Sequence, residues 1–367
     1  MSDVIMNDFR AEPAALRAAM LEAAREVFES GWYVLGKQVT AFEAAWSRAC
    51  GAAHAVGLGN GMDAIEIGLR ALNIASGDEV ITTPMTAFAS VLAILRAGAV
   101  PVLADIDPAT GLLDLTSVAR CVSPATRAVM PVHLYGRIGD MRAWVDFCVA
   151  NELHLVEDCA QAHLARWHGH VAGTFGAVGA YSFYPTKNLG AIGDAGALIT
   201  QSADLAARAA RLRNYGQSER YHHPELGMNS RLDELQAALL LVKMRWLEEF
   251  TSRRHAIAGR MFAEIRNPVI QTLAVPAAPE NHVHHLFVVL STDRDRLLAH
   301  LRAAGVQALI HYPVPVHHQK PCAKLRRDPQ GLGHAERHAR QCVSLPCHAQ
   351  MDDAQVARVI DAVNAFR

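Results

Sequence analysis

Apolar positions along the chain follow two different spacings. Between residues 12 and 30, Ala, Leu and Met recur at helical spacing, which predicts an amphipathic helix. Short apolar runs at residues 54–57, 101–107 and 153–156 are separated from one another by further helical stretches. Short strands that alternate with helices are typical of an α/β fold. The pattern therefore predicts a mostly parallel sheet covered by helices.

The last hundred residues show a different arrangement. Strand-like runs at 284–290 and 306–311 flank a helical run at 294–304. This order predicts a smaller α+β domain that follows the large one. We divide the chain into a large domain at 1–250 and a small C-terminal domain at 251–367.

Composition limits the classes of function. The chain has 367 residues, of which 51% are hydrophobic, and a formal net charge of −1, so it can bury a large core and carries no basic surface for nucleic acid. The first residues lack the features of a signal peptide, and Arg96 interrupts the longest apolar stretch, at 87–104. Seven cysteines without a CxxC pair favour a reducing compartment. We expect a cytoplasmic protein with no nucleic-acid and no membrane partner.

Adjacent histidines at 222–223, 284–285 and 317–318 raise the question of a metal. None has the HxxxH or HExxH spacing that places two imidazoles on one helix face. We therefore expect no metal site.

Candidate chemistry lies between residues 156 and 200. The run at 153–156 ends in Glu157 and Asp158, and a second strand-like run at 177–183 is followed by Lys187 in a turn. Ligands of open α/β sheets bind at the carboxyl ends of the strands. A carboxylate and a lysine there are the two groups that pyridoxal 5′-phosphate (PLP) chemistry requires. By spacing alone, Asp158 capping a helix and Lys187 on the surface remain equally open interpretations.

The exact amino-acid sequence of this stretch is more specific than the spacing of its residues. The segments EDCAQAH at 157–163 and GTFGAVGAYSFYPTKNLGAIGDAGALIT at 173–200 resemble the active-site core of the DegT/DnrJ/EryC1/StrS family of sugar aminotransferases. The resemblance extends over about residues 9–345. It implies the PLP fold of aspartate aminotransferase and a homodimer with shared active sites.

The resemblance also implies roles for individual residues. Lys187 would bind PLP covalently and move the proton, and Asp158 would keep the pyridine nitrogen protonated. The other implied cofactor contacts are Gly61, Met62, Phe88, Gln161, Ser182 and, from the neighbouring subunit, Asn229. The implied substrate contacts are Tyr33, His163, Tyr184, Tyr221, Tyr312 and His317.

Two positions depart from the family pattern. Met62 stands where the family usually has Thr or Ser, so the phosphate would rely on backbone N–H groups. Ala87 stands where the family generally has an aromatic residue stacked on the pyridine ring. Either Phe88, one position later, takes over that contact, or another group covers this face of the ring.

The expected reaction moves an amino group from L-glutamate to a nucleotide-linked keto-sugar. The segments SGWYVLG, GNGMDA and the loop before Asn229 are most similar to members that aminate C3 of a dTDP-linked 3-keto-6-deoxyhexose. An acceptor with a C4 ketone, a cyclitol ketone, and a non-catalytic PLP-binding regulatory protein remain alternatives. A PLP-dependent sugar dehydratase is disfavoured, because those relatives carry His at the position of Lys187.

Overall fold

The computed structural model describes residues 3–367. The helices are α1 Ala14–Ser30, α2 Lys37–Cys50, α3 Gly61–Ala71, α4 Phe88–Arg96, α5 Leu115–Cys121, α6 Met141–Ala150, α7 Ala203–Leu212, α8 Glu234–Met244, α9 Leu247–Glu264, α10 Arg294–Ala303, α11 Gly333–Gln341 and α12 Asp353–Ala365. The strands are β1 His54–Leu58, β2 Glu79–Thr82, β3 Val100–Leu103, β4 Thr126–Val129, β5 His154–Asp158, β6 Arg166–Trp167, β7 His170–Val171, β8 Val178–Ser182, β9 Gly196–Thr200, β10 Gln271–Thr272, β11 Phe287–Leu290 and β12 Cys342–Leu345.

A seven-stranded sheet in the order β1-β9-β8-β5-β4-β2-β3 forms the centre of the large domain. Its strands are parallel except β9, which runs antiparallel to both neighbours, β1 and β8. The predicted mostly parallel mixed sheet is thus confirmed.

Helices cover both faces of this sheet because side chains alternate along each strand. In β8, Val178 and Ala180 face a core that contains Ile67 of α3, whereas Tyr181 faces a second core that contains Trp46 of α2. The carboxyl ends of β1, β2, β5 and β8 lie at one edge of the sheet, where α3 and α4 also begin. This edge holds the candidate site.

The small domain contains the antiparallel sheet β10-β11-β12. The prediction of a strand at 306–311 is wrong. Val306 forms an isolated bridge with Val4, and Leu309 forms another with Ser344. The run pairs with two different segments, so no continuous ladder develops.

The two cores meet along α9. Leu247 packs in the core of the large domain, whereas Ile257 and Met261 pack in the core of the small domain, together with Val4. The predicted division after residue 250 falls inside this helix and stays a prediction. Across residues 3–367, no helix has both the length and the apolar character needed to span a bilayer.

Candidate active site

Asp158 is the last residue of β5 and is almost fully buried. Its Oδ1 accepts a hydrogen bond from the amide of Ala160 at 3.0 Å, and its Oδ2 accepts one from the Ser90 hydroxyl at 2.7 Å. The Ser90 hydroxyl in turn lies 2.8 Å from the Thr86 hydroxyl. Hydrogen bonds to both oxygens stabilise the charged form of a buried carboxylate and fix its orientation.

Lys187 lies in a tight turn after β8, closed by a 2.8 Å hydrogen bond from its amide to the carbonyl of Tyr184. Burial of the amine lowers the pKa of Lys187 to about 8, while the negative charge of Asp158 acts in the opposite direction. A lower pKa increases the neutral fraction of the amine near pH 7, and the neutral amine is the nucleophile and the base.

The N-terminus of α3 forms the anion-binding side. Asn60 caps the helix by accepting a hydrogen bond from the amide of Asp63 at 2.8 Å, and the amides of Gly61 and Met62 precede the first intrahelical bond. Gly61 lies against Ser182, since a Cβ at Gly61 would be 2.5 Å from the Ser182 Cβ. Only glycine allows this close approach, which brings the Ser182 hydroxyl beside the helix terminus. Such a terminus suits a phosphate.

Gln161 is held from both sides of its amide group. Its Oε1 accepts a hydrogen bond from the amide of Tyr135 at 2.6 Å, and its Nε2 donates to the Tyr312 hydroxyl at 3.2 Å. Burial raises the pKa of Tyr312 to about 12, and the charge of Asp158 acts in the same direction. The Tyr312 hydroxyl is therefore neutral and able to donate onward at physiological pH.

One cavity brings most of the predicted cofactor residues together. Its lining includes Gly61, Met62, Asp158, Gln161, Ser182 and Lys187 from the prediction, and Ile65, Thr86, Ala87, Ala89, Ser90, Val132 and Ala160 in addition. A lysine amine, an anchored carboxylate and a helix N-terminus in one cavity match the three functional ends of PLP, which are its aldehyde, its ring nitrogen and its phosphate. The residues present thus fit this cofactor.

Phe88 is placed differently from the prediction. Ala87 and Ala89 line the cavity, whereas Phe88 packs beside Val91 and Val316 and lines a neighbouring small cavity with Tyr312. Phe88 begins α4, and successive residues of a helix point about 100° apart. In this protomer Phe88 therefore lines the neighbouring cavity, and its contact with the cofactor ring stays a prediction.

His163 and His317 also lie outside this cavity. The His163 ring is packed among Trp46, Tyr181 and Phe183 at centroid distances of 5.5–5.9 Å, and its Nε2 lies 2.9 Å from the carbonyl of Ser182. Burial lowers the pKa of His163 to about 3, so the ring is neutral and belongs to the core. His317 is buried with its Nε2 3.0 Å from Glu336 Oε1. Within one protomer His163 thus packs in the core and His317 pairs with Glu336, and their contact with the substrate stays a prediction.

The remaining predicted residues lie on the surface of the protomer. Tyr33, Tyr184 and Tyr221 are more than half exposed, and Asn229 is also exposed. None of the four lines the cavity that contains Lys187. The single chain therefore brings six of the eight predicted cofactor residues into this cavity, and Tyr312 is the predicted substrate residue that hydrogen-bonds to one of them, Gln161.

Ser90 and Thr86 are the polar groups of the cavity that sequence reasoning did not assign. Their spacing of four residues across the start of α4, directly after β2, was the available signal. It does not reveal that the Ser90 hydroxyl reaches Asp158, since that contact joins α4 to the end of β5.

Comparisons with known proteins agree with this geometry. The DegT/DnrJ/EryC1/StrS aminotransferase family matches residues 15–364. The chain is 43% identical to the dTDP-3-amino-3,4,6-trideoxy-alpha-D-glucose transaminase of Streptomyces venezuelae, over 98% of this chain and 95% of the relative. It is 41% identical to the dTDP-3-amino-3,6-dideoxy-alpha-D-galactopyranose transaminase of Aneurinibacillus thermoaerophilus, over 94% of each chain. The crystal structure of S. venezuelae DesV in complex with a ketimine intermediate superposes with a TM-score of 0.95 at 42% identity, over 99% of this chain and 98% of that one.

Proposed function

Since this chain belongs to the DegT/DnrJ/EryC1/StrS aminotransferase family and is a PLP-dependent transaminase, we propose that it aminates C3 of a dTDP-linked 3-keto-6-deoxyhexose. We propose L-glutamate as the amino donor. The observation that carries the chemistry is the placement of Lys187 and Asp158 in one cavity beside the N-terminus of α3. The choice of C3 is supported by the names of the two relatives above, because the sugars in those names carry the amino group at C3.

Each residue of the cavity has a distinct task. Bound PLP supplies an electron sink for the carbon that gains or loses its proton. Lys187 holds the cofactor and then, as a free amine, carries that proton, which its lowered pKa permits. Asp158, oriented by Ser90 and the amide of Ala160, keeps the ring nitrogen protonated. The α3 N-terminus and the Ser182 hydroxyl hold the phosphate.

We further propose a homodimer whose sites are completed by the partner subunit. Asn229 and Tyr221, which the sequence assigns to the site, are exposed and outside the protomer's own cavity. Trp32 and Ile192 are also more than half exposed, so this protomer presents apolar side chains that a second copy would cover. All seven cysteines are buried free thiols, which supports a location in the reducing cytoplasm.

The substrate is tested with a panel of ketones. The holoenzyme is incubated with L-glutamate and with 3-keto nucleotide sugars, 4-keto nucleotide sugars and a cyclitol ketone, and formation of 2-oxoglutarate is measured. We expect the highest kcat/KM with a dTDP-linked 3-keto-6-deoxyhexose.

Other outcomes separate the alternatives. Preference for a 4-keto sugar would overturn the assignment to C3, and turnover of the cyclitol alone would overturn the nucleotide-sugar assignment. Absence of any glutamate-dependent conversion of the bound cofactor would favour a regulatory protein that binds PLP without catalysis.

A further inference from the structure

Among residues 3–367, two groups of side chains bring three potential metal ligands close together. One consists of His133, Glu157 and Cys159, and the other of His317, His318 and Glu336. The second group was not visible from sequence spacing, because Glu336 follows the histidine pair at a distance and lies on another element, α11.

The first group is already saturated by hydrogen bonds. Glu157 Oε2 accepts from the amide of Gly173 at 2.7 Å and lies 2.9 Å from His133 Nε2. Its Oε1 accepts from the amides of Phe175 and Gly176 at 2.8 and 2.9 Å. These bonds use the lone pairs that a metal would need, so this group is structural.

The second group has ligand spacing that suits a tetrahedral ion. His317 Nε2 lies 3.0 Å and His318 Nε2 lies 3.6 Å from the same oxygen, Glu336 Oε1. Ligands at about 2.0–2.1 Å from a tetrahedral Zn²⁺ are separated by about 3.4 Å. The two observed separations bracket this value, and all three ligand atoms lie within 4.8 Å of one another.

The surroundings combine one fixed ligand with an open side. The His317 side chain is fully buried, whereas that of His318 is 50% exposed and that of Glu336 is 34% exposed. Water can therefore occupy a fourth position.

Two positively charged arginines near this group oppose cation binding and lower the affinity of the site for a metal ion. Arg340 Nη1 lies 4.0 Å from the other oxygen of Glu336, Oε2, and the charge of Arg327 acts on His317. The oxygen that faces both histidines, Oε1, is hydrogen-bonded to His317 Nε2, and an ion would replace the proton of this bond.

We propose that His317, His318 and Glu336 form a binding site for a divalent transition metal, with Zn²⁺ as the ion that the ligand set and geometry favour. The site joins the short helical turn Val316–His318 to α11. Tyr312, four residues before this turn, contacts Gln161 of the active-site cavity through its hydroxyl. A bound ion would thus fasten the segment that supports one wall of that cavity.

The test is Zn²⁺ binding to the metal-free holoenzyme, measured by equilibrium dialysis with elemental analysis near neutral pH. We expect one equivalent per chain in the wild type. His318→Leu removes an exposed ligand without disturbing the core, and Glu336→Gln keeps a hydrogen-bond acceptor for His317 while removing the charge. Each should weaken binding at least about tenfold, since each removes one of three protein ligands.

A matched control uses a histidine pair that is exposed at both positions. His222 and His223 are both exposed and belong to neither group of potential ligands, so the double variant His222→Ala/His223→Ala should bind Zn²⁺ as the wild type does. Equal binding by the wild type and His318→Leu, or loss of binding in the His222/His223 variant alone, would overturn the proposal. So would a wild-type protein that retains no Zn²⁺ after dialysis.

Discussion

The cofactor side and the substrate side of the candidate site are built differently. On the cofactor side, Asp158 and Gln161 are buried, and each is held by two hydrogen bonds from different parts of the chain. On the substrate side, Tyr33, Tyr184 and Tyr221 are more than half exposed, and none lines the cavity of Lys187. Folding of one chain thus brings Asp158, Gln161 and Lys187 together, whereas these tyrosines stay outside the cavity, as expected if the proposed second subunit completes the substrate side.

The largest effect is expected from Lys187→Ala. The variant should fold, because Lys187 sits in a cavity and makes no core contact, but it should lose transamination completely. Borohydride reduction followed by mass spectrometry should show no covalently attached cofactor. Lys243, a second largely buried lysine that pairs with Glu12 at 3.1 Å, provides the control, since Lys243→Ala should still be labelled at Lys187. A labelled Lys187→Ala protein would refute the assignment.

Asp158→Asn should have the next largest effect. It keeps the size of the side chain but removes the negative charge that holds the ring nitrogen protonated. We expect kcat to fall about a hundred- to a thousandfold, the usual effect of removing one electrostatic partner of a transition state. Covalent attachment at Lys187 should persist. Turnover close to that of the wild type would mean that another acid protonates the ring.

Ser90→Ala tests the positioning of the same carboxylate. A hydrogen bond to a charged group contributes about 1.5–3 kcal/mol, so kcat should fall about tenfold or more while the affinity for the cofactor phosphate is unchanged. Ser90→Thr retains the hydroxyl and should restore most of the rate. A purely structural role for Ser90 would lower the melting temperature of both variants without this difference in kcat.

The pH dependence of cofactor uptake tests the lowered pKa of Lys187. The protonated amine is not a nucleophile, so the rate of covalent attachment to cofactor-free protein should rise with pH and level off above about 8. Well below that value, the rate should increase about tenfold per pH unit, because the neutral fraction does so. A rate that keeps rising to about pH 10 would indicate an ordinary, solvated lysine.

The way in which each residue reaches the site explains whether the sequence could predict it. Asp158 ends the apolar strand β5 and Lys187 lies in the turn after β8, so the apolar pattern located both at the carboxyl ends of a sheet. The mostly parallel character of the sheet follows from the alternation of strands with helices. Ser90 was missed because its role depends on a contact between residues 68 positions apart in the chain.

The sequence could not show where packing places three of the predicted residues. The pattern of aromatic residues did not show that Phe88 points away from the cavity, or that His163 is enclosed by Trp46 and Phe183. The pairing of His317 with Glu336 joins two elements that no local spacing connects. Helix phase and tertiary contacts determined these three placements.

The most direct test of this account is recovery of activity from two inactive variants. Lys187→Ala chains are mixed in equal amounts with Asn229→Asp chains under conditions that exchange subunits, and exchange is confirmed by native mass spectrometry. In a dimer with shared sites, random pairing restores about one quarter of the sites to wild-type composition. As a control, Lys187→Ala mixed with Asp158→Asn should recover nothing beyond the residual rate of the second variant, because both changes lie on the cofactor side of one chain. We predict about one quarter of wild-type activity for the first mixture, and no recovery after complete exchange would contradict the account.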